Sequence, residues 1–144
     1  MYCITEMANE LRSFYSAETA PLPVYNDDYV KFIIRAIKKF YVDINHPEEY
    51  DQNLIITDEQ DNKFYDHDFM LDEEEYIWIL SKLGYKRRVM SDMSGDGAIS
   101  YTTNALSVTG AKEGYKSIQQ EIDDLEKERR IVFNKMTRYT LPSA

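Results

Sequence analysis

Cysteine is all but absent from this chain. Cys3 stands alone among 144 residues, so no internal disulfide can form and the chain reads as intracellular. Glycine occurs five times and proline four, too few for an all-β fold with a tight turn after every strand. No apolar run approaches the roughly 20 residues that span a bilayer; the longest are short, as at Tyr76-Ile77-Trp78-Ile79-Leu80. The segment Met1-Tyr2-Cys3-Ile4-Thr5-Glu6 lacks the basic start and apolar core of a signal peptide. Positive charge is in deficit: 17 Lys and Arg face 26 Asp and Glu, for a net charge of −9 and a pI of about 4.7. Such a chain repels nucleic acid and anionic lipid rather than binding them broadly.

Apolar material is not lacking. Hydrophobic residues make up 43% and aromatics 13%, with 12 tyrosines, enough for a packed core and too much for wholesale disorder. The length suits one domain: an N-terminal segment over residues 1–25, a bundle over 26–137 and a tail over 138–144. The charge is concentrated. Residues 43–75 hold thirteen acids and one base, Lys63, a local charge of −12, while the rest of the chain sums to +3. Glu48, Glu49, Asp51, Asp58 and Glu59 are the candidate acidic surface. The belt reads either as a solvated loop with the start of a helix or as an electrostatic docking surface for a basic partner.

Periodicity predicts a mainly α fold, a small bundle of three to four helices with a long last helix. Ile4, Met7, Leu11 and Phe14 or Tyr15 recur at helical spacing over residues 3–16, and Pro21 and Pro23 end that helix. Asn26 is a good N-cap for a second helix, with Asp27 and Asp28 in its first turn and a wide apolar stripe through Tyr29, Ile33, Ala36, Ile37, Phe40 and Tyr41. It stops near Asn45-His46-Pro47. Leu54–Thr57 and Phe64–Tyr65 suggest a short β-hairpin inside the acidic segment. A third helix starts with Asp72 as N-cap and Glu75 three residues on, ends near Ser91, and leaves Trp78 off its main apolar face. Residues 91–112 read as a break. The last helix is expected over about 113–137, roughly 37 Å long, with Tyr115, Ile118, Ile122, Leu125, Arg129, Val132, Phe133 and Met136 on one face. That face suits either a bundle or packing against copies or a partner.

Candidate chemistry is thin. Asp92, Ser94, Asp96, Gly97 and Ile99 follow the calcium loop of EF-hands, but its twelfth position is Thr103 where a bidentate Glu belongs, and the next helix is expected too late. A glycine-rich turn is the expected state. Asp66-His67-Asp68 offers no evident fourth metal ligand, and His46 beside Pro47 reads as a loop residue. Cys3 has no assignable His partner. The signatures GxSxG, HExxH, GxGxxG and GxxxxGK[ST] are all missing. The reading is of a chain with no catalytic residue, no metal and no cofactor. Lys127, Arg129, Arg130, Lys135 and Arg138 cluster near the end of the last helix, where they suit the helix dipole and are nearly cancelled by Asp123, Asp124, Glu126 and Glu128.

The run Tyr101-Thr102-Thr103-Asn104-Ala105-Leu106-Ser107-Val108-Thr109, then Tyr115-Lys116-Ser117-Ile118, Ile122-Asp123-Asp124-Leu125-Glu126 and Arg129-Arg130-Ile131, resembles small virion proteins of tailed bacteriophages. Those carry Tyr-x-Thr-x-Ala-Leu-Ser-Val-Thr ahead of a long Glu- and Arg-rich helix ending near Lys-Met. Upstream, Asp27–Tyr41 and Glu74–Leu80 are similar to two further helices of the head–tail connector, or adaptor, class. The resemblance covers roughly residues 26–137.

It implies a mostly helical structural protein of the virion neck, assembled in the host bacterial cytoplasm. Such a protein forms a homomeric ring, commonly twelvefold, that docks on the portal, meets a downstream neck or tail-completion protein, and continues the DNA channel without binding DNA sequence-specifically or touching a membrane. On that reading Tyr101, Leu106, Val108, Tyr115, Arg129, Arg130, Phe133, Arg138, Tyr139 and Leu141 form the oligomer and portal interface, and an acidic lining lets DNA slide. Two other classes stand beside it. One is a small acidic regulatory or assembly-chaperone protein acting as monomer or dimer; the other is a metal-dependent enzyme whose site the sequence hides.

Overall fold

A computed structural model of the chain describes residues 1–15, 26–92, 105–136 and 138–139. The elements run β1 (Tyr2–Cys3), α1 (Ile4–Phe14), α2 (Asn26–Asp43), β2 (Ile55–Thr57), β3 (Lys63–Tyr65), α3 (Leu71–Asp92) and α4 (Ala105–Lys135). Two 3-10 turns, Pro47–Glu49 and Gln52–Leu54, lie between α2 and β2. Among the described residues the fold is mainly α, with four helices and one small antiparallel sheet of order β1-β3-β2.

The anticipated hairpin is present, and it carries a third strand that the sequence pattern does not announce. Tyr2 pairs with Tyr65 and Cys3 with Phe64, while Ile55, Ile56 and Thr57 face Tyr65, Phe64 and Lys63. The Lys63 N–H donates to Thr5 Oγ1 at 2.8 Å, tying the sheet to α1.

α1 leaves β1 directly, with Cys3 Sγ accepting from the Glu6 N–H, and buries Ile4, Ala8 and Leu11 along one face. α2 is closed by a two-bond left-handed cap. The His46 N–H donates to the Tyr41 carbonyl at 2.9 Å and the Asn45 N–H to that of Val42 at 3.0 Å. Asn45 sits at φ 64°, the αL position such a cap demands, and Pro47 follows.

α3 begins at Leu71, two residues earlier than an Asp72 cap would set it. Glu73 reaches back and its Oε1 accepts the Met70 N–H at 2.8 Å, so the carboxylate half of the capping box belongs to Glu73, not Glu75. α3 is apolar on several sides because α2 and α4 both pack on it, burying Tyr76, Ile77, Ile79, Leu80, Leu83, Tyr85 and Val89.

α4 is the larger departure from expectation. It starts at Ala105, not near 113, so Gly110 and Gly114 lie inside a helix of 31 residues, about 46 Å long. Its described half buries Ile122, Leu125, Val132 and Phe133, with Met136 just beyond. The early start removes one of two objections to the calcium loop, the missing following helix. The other, Thr103 in place of Glu, remains, and residues 93–104 lie outside the described set.

Candidate functional site

The acidic segment is built, not loose. Beyond the α2 cap, Pro47 opens a 3-10 turn and His46 Nδ1 meets Glu48 Oε1 at 3.1 Å. Its own backbone N–H and then the His46 ring hold the Glu48 carboxyl below the usual value. Asp51 caps the second turn, its Oδ1 accepting the Asn53 N–H at 2.9 Å. Tyr65 fixes both turns from beneath: its hydroxyl accepts the Asp51 N–H at 3.2 Å and its ring stacks on Tyr50 at 6.0 Å. At the hairpin tip Asp58 Oδ1 accepts the N–H groups of Gln60 and Asn62 at 2.9 and 2.8 Å, and Asp61 takes φ 64°.

Nine of the thirteen acids in residues 43–75 are exposed, among them Glu48, Glu49, Asp51, Asp58 and Glu59. Glu75 stands on α3 and the other eight on the turns and hairpin between α2 and α3, so the backbone that carries the charges is held in place. Charge fixed in this way produces a directional field, where a free loop would average it. Asp66, His67 and Asp68 are exposed as well, and among the described residues no group of three His, Cys, Asp or Glu side chains could hold a metal ion.

Asp43, Asp72 and Glu73 instead bind side chains of other elements. Tyr76, fully buried on α3, donates its hydroxyl proton to Asp43 Oδ2 at 2.6 Å. Arg129 of α4 donates from Nη1 to the same hydroxyl at 3.0 Å and from Nε to Glu126 at 2.9 Å. Glu126 also pairs with Arg87, and Lys39 with Asp43 at 2.7 Å. The chain Lys39–Asp43–Tyr76–Arg129–Glu126–Arg87 thus stitches α2, α3 and α4 together. Burial, then the bond to Asp43, pushes the Tyr76 phenol up, with Arg129 pulling part of the way back. For Arg129, burial lowers the pKa and the bonds to Tyr76 and Glu126 more than offset it.

A second clasp closes the C-terminal end. Arg138 Nη2 lies 2.8 Å from Asp72 Oδ1 and 3.6 Å from Glu73. The Tyr139 hydroxyl donates to Glu73 Oε2 at 2.9 Å, and its ring lies 6.2 Å from Phe40.

The residues anticipated as an oligomer and portal interface therefore divide. Phe133 is 1% exposed and offers no surface, because the heptad-like face of α4 is consumed by α3. Arg129 is tied into the three-helix network, and Arg138 and Tyr139 hold the chain's own α3. The chain is thus tied to its own α3 as far as Tyr139. Arg130 is exposed. Leu106, Val108 and Tyr115 lie on the backbone of α4 with side chains outside the described set, and Asp92 likewise on α3. Ser94, Asp96, Tyr101 and Leu141 lie outside the described residues altogether. The sequence reading missed the Asp43–Tyr76–Arg129 junction. Its only local trace is an arginine in an otherwise apolar stripe.

Comparison of the chain with family models, with curated proteins and with solved structures found no match.

Proposed function

We propose that this chain is a structural assembly protein of a tailed-bacteriophage virion, an adaptor that docks on the portal and continues the DNA channel toward the tail. The observation that carries the proposal is the exposed acidic face, positioned by hydrogen-bonded turns on a cross-braced helical frame. A face of this kind suits two tasks in an assembly. It orients a basic partner before contact, and it repels a passing polyphosphate so that DNA moves without sticking. The resemblance of residues 26–137 to the adaptor class supplies the rest of the reading: a homomeric ring, commonly twelvefold, a portal above and a neck or tail-completion protein below.

The test is binding to a cognate portal ring. Purified protein is expected to saturate isolated portal rings at one copy per portal subunit. Glu48→Gln, Glu49→Gln, Asp51→Asn, Asp58→Asn and Glu59→Gln together are expected to weaken assembly or slow DNA passage. Unchanged virion yield with these five substitutions reduces the belt to a solvated surface.

A further inference from the structure

A groove of about 760 Å³ runs along α1. The outer face of α1 lines it with Glu6, Asn9, Glu10 and Ser13, at the three- and four-residue spacing of one helix face. Asn62 stands across from them, on the hairpin turn that also carries Asp58, Glu59 and Asp61. At one end the groove is aromatic. Phe14 is 60% exposed and meets Trp78 edge-on at 6.1 Å. Lys82 Nζ lies over the same two rings, 5.2 Å from Phe14 and 5.9 Å from Trp78, so the acidic part of the groove is the stretch beyond them that carries Glu6 and Glu10. An exposed aromatic side chain beside such a stretch is the form of a contact site.

A matching surface lies on the second half of α4. Ile131 is 58% exposed, with Lys127 one turn before it, Lys135 one turn after it and Arg130 beside it, all exposed. Over residues 127–135 the exposed side chains include three cations and one anion, Glu128. The spacing fits the groove in a particular way. Glu10 and Phe14 are four residues apart on α1, and Lys127 and Lys135 are each four residues from Ile131. Laying Ile131 on Phe14 therefore brings a lysine level with Glu10 whether the two helices run parallel or antiparallel. The stretch 127–135 is about 13 Å long and α1 about 16 Å, so the lengths agree. Within one chain α4 packs on α3, while α1 packs on α2, β3 and, through Phe14 and Trp78, on α3.

The geometry points to a second copy of this chain as the occupant of the groove, entering with residues 127–135 of its α4. The contact is heterologous, groove to helix, so a pair of copies keeps one free groove on one member and one free stripe on the other. Such contacts propagate into a ring when the rotation closes and a filament when it does not. The inference rests on the assembly reading above and deepens it by naming how one copy meets the next.

The test is sedimentation velocity on the full chain across concentration and salt, with helicity checked for each variant. Wild type is expected to associate as concentration rises, and less so at high salt. Glu6→Lys with Glu10→Lys, and separately Lys127→Glu with Lys135→Glu, are each expected to weaken association at least about tenfold. An equimolar mixture of the two variants is expected to recover it, because their charges are again complementary. All four substitutions fall on exposed positions, so loss of association with helicity intact reports the contact itself. A wild type that stays monomeric at the highest soluble concentration overturns the inference, as does association that neither variant alters. Portal binding measured on the same variants separates the two claims. Monomers that still bind the portal refute the groove contact alone, and copies that self-associate without binding the portal refute the adaptor reading alone.

Discussion

Tyr76→Phe removes one oxygen atom from the centre of the three-helix junction. In the wild type that hydroxyl donates to Asp43 at 2.6 Å and accepts from Arg129 at 3.0 Å. Without it, Asp43 keeps Lys39 on Oδ1, and Oδ2 is left with Arg129 at 3.8 Å. Hydrogen bonds to charged groups contribute about 1.5–3 kcal/mol each. Closure of the Arg129–Asp43 gap returns part of that, so the expected loss is about 2 kcal/mol. For a chain of this size that lowers Tm by roughly 5–8 °C. Arg129→Met should cost about 2–3 kcal/mol, since it strips a cation from a carboxylate only 10% exposed. The decisive assay is a double-mutant cycle by chemical denaturation. If Tyr76 and Arg129 act through Asp43 as one unit, the coupling energy is at least about 1 kcal/mol. Additivity within about 0.4 kcal/mol would show that α2, α3 and α4 are joined by packing alone and refute the junction.

Three further outcomes follow from the same contacts. Stability should fall as pH rises above about 10: burial first of all raises the phenols of Tyr2, Tyr41 and Tyr76 above their unfolded value, so the unfolded chain releases protons that the folded chain keeps. Denaturation midpoints at neutral and alkaline pH, with ultraviolet titration of the tyrosines, check this. Tyr139→Ala should cost about 2 kcal/mol by removing a half-buried ring from Phe40 and Phe133 and a bond from Glu73, and amide exchange at residues 70–74 should quicken. Gly84→Ala should stabilise by up to about 1 kcal/mol, since a Cβ there lies 3.7 Å from Phe32 Cδ1, an ordinary contact, and the helix loses a glycine; a thermal melt reads it as a rise of a few degrees.

The elements that sequence displayed clearly are those whose cause is local. α2 has a continuous apolar stripe and a polar stop at Asn45, and both its ends were legible. The acidic hairpin was legible because Ile55, Ile56, Phe64 and Tyr65 bracket a polar turn. β1 was not, because two residues have no period and Tyr2–Cys3 become a strand only by meeting β3 some sixty residues later. The start of α4 was hidden by Gly110, which falls in the stretch that reads as a break although the helix runs through it. The site divides in the same way. Exposure of Glu48 to Glu59 follows from composition, whereas the inward turn of Arg129 depends on Asp43 and Tyr76, partners 86 and 53 residues away that no spacing rule connects. Phe133 looked available for an interface because a heptad face does not say whether a neighbouring copy or the chain's own α3 will cover it.

The central claim, that this chain is a portal-docking assembly protein with a working acidic face, is tested most directly by titrating portal rings with wild type and with the variant neutralised at Glu48, Glu49, Asp51, Asp58 and Glu59. The account predicts saturable wild-type binding at one copy per portal subunit, and a neutralised variant that fails to assemble normally or to pass DNA at the normal rate. No binding of the wild type at tens of micromolar, or a neutralised variant indistinguishable from it in binding and in virion yield, would contradict the account.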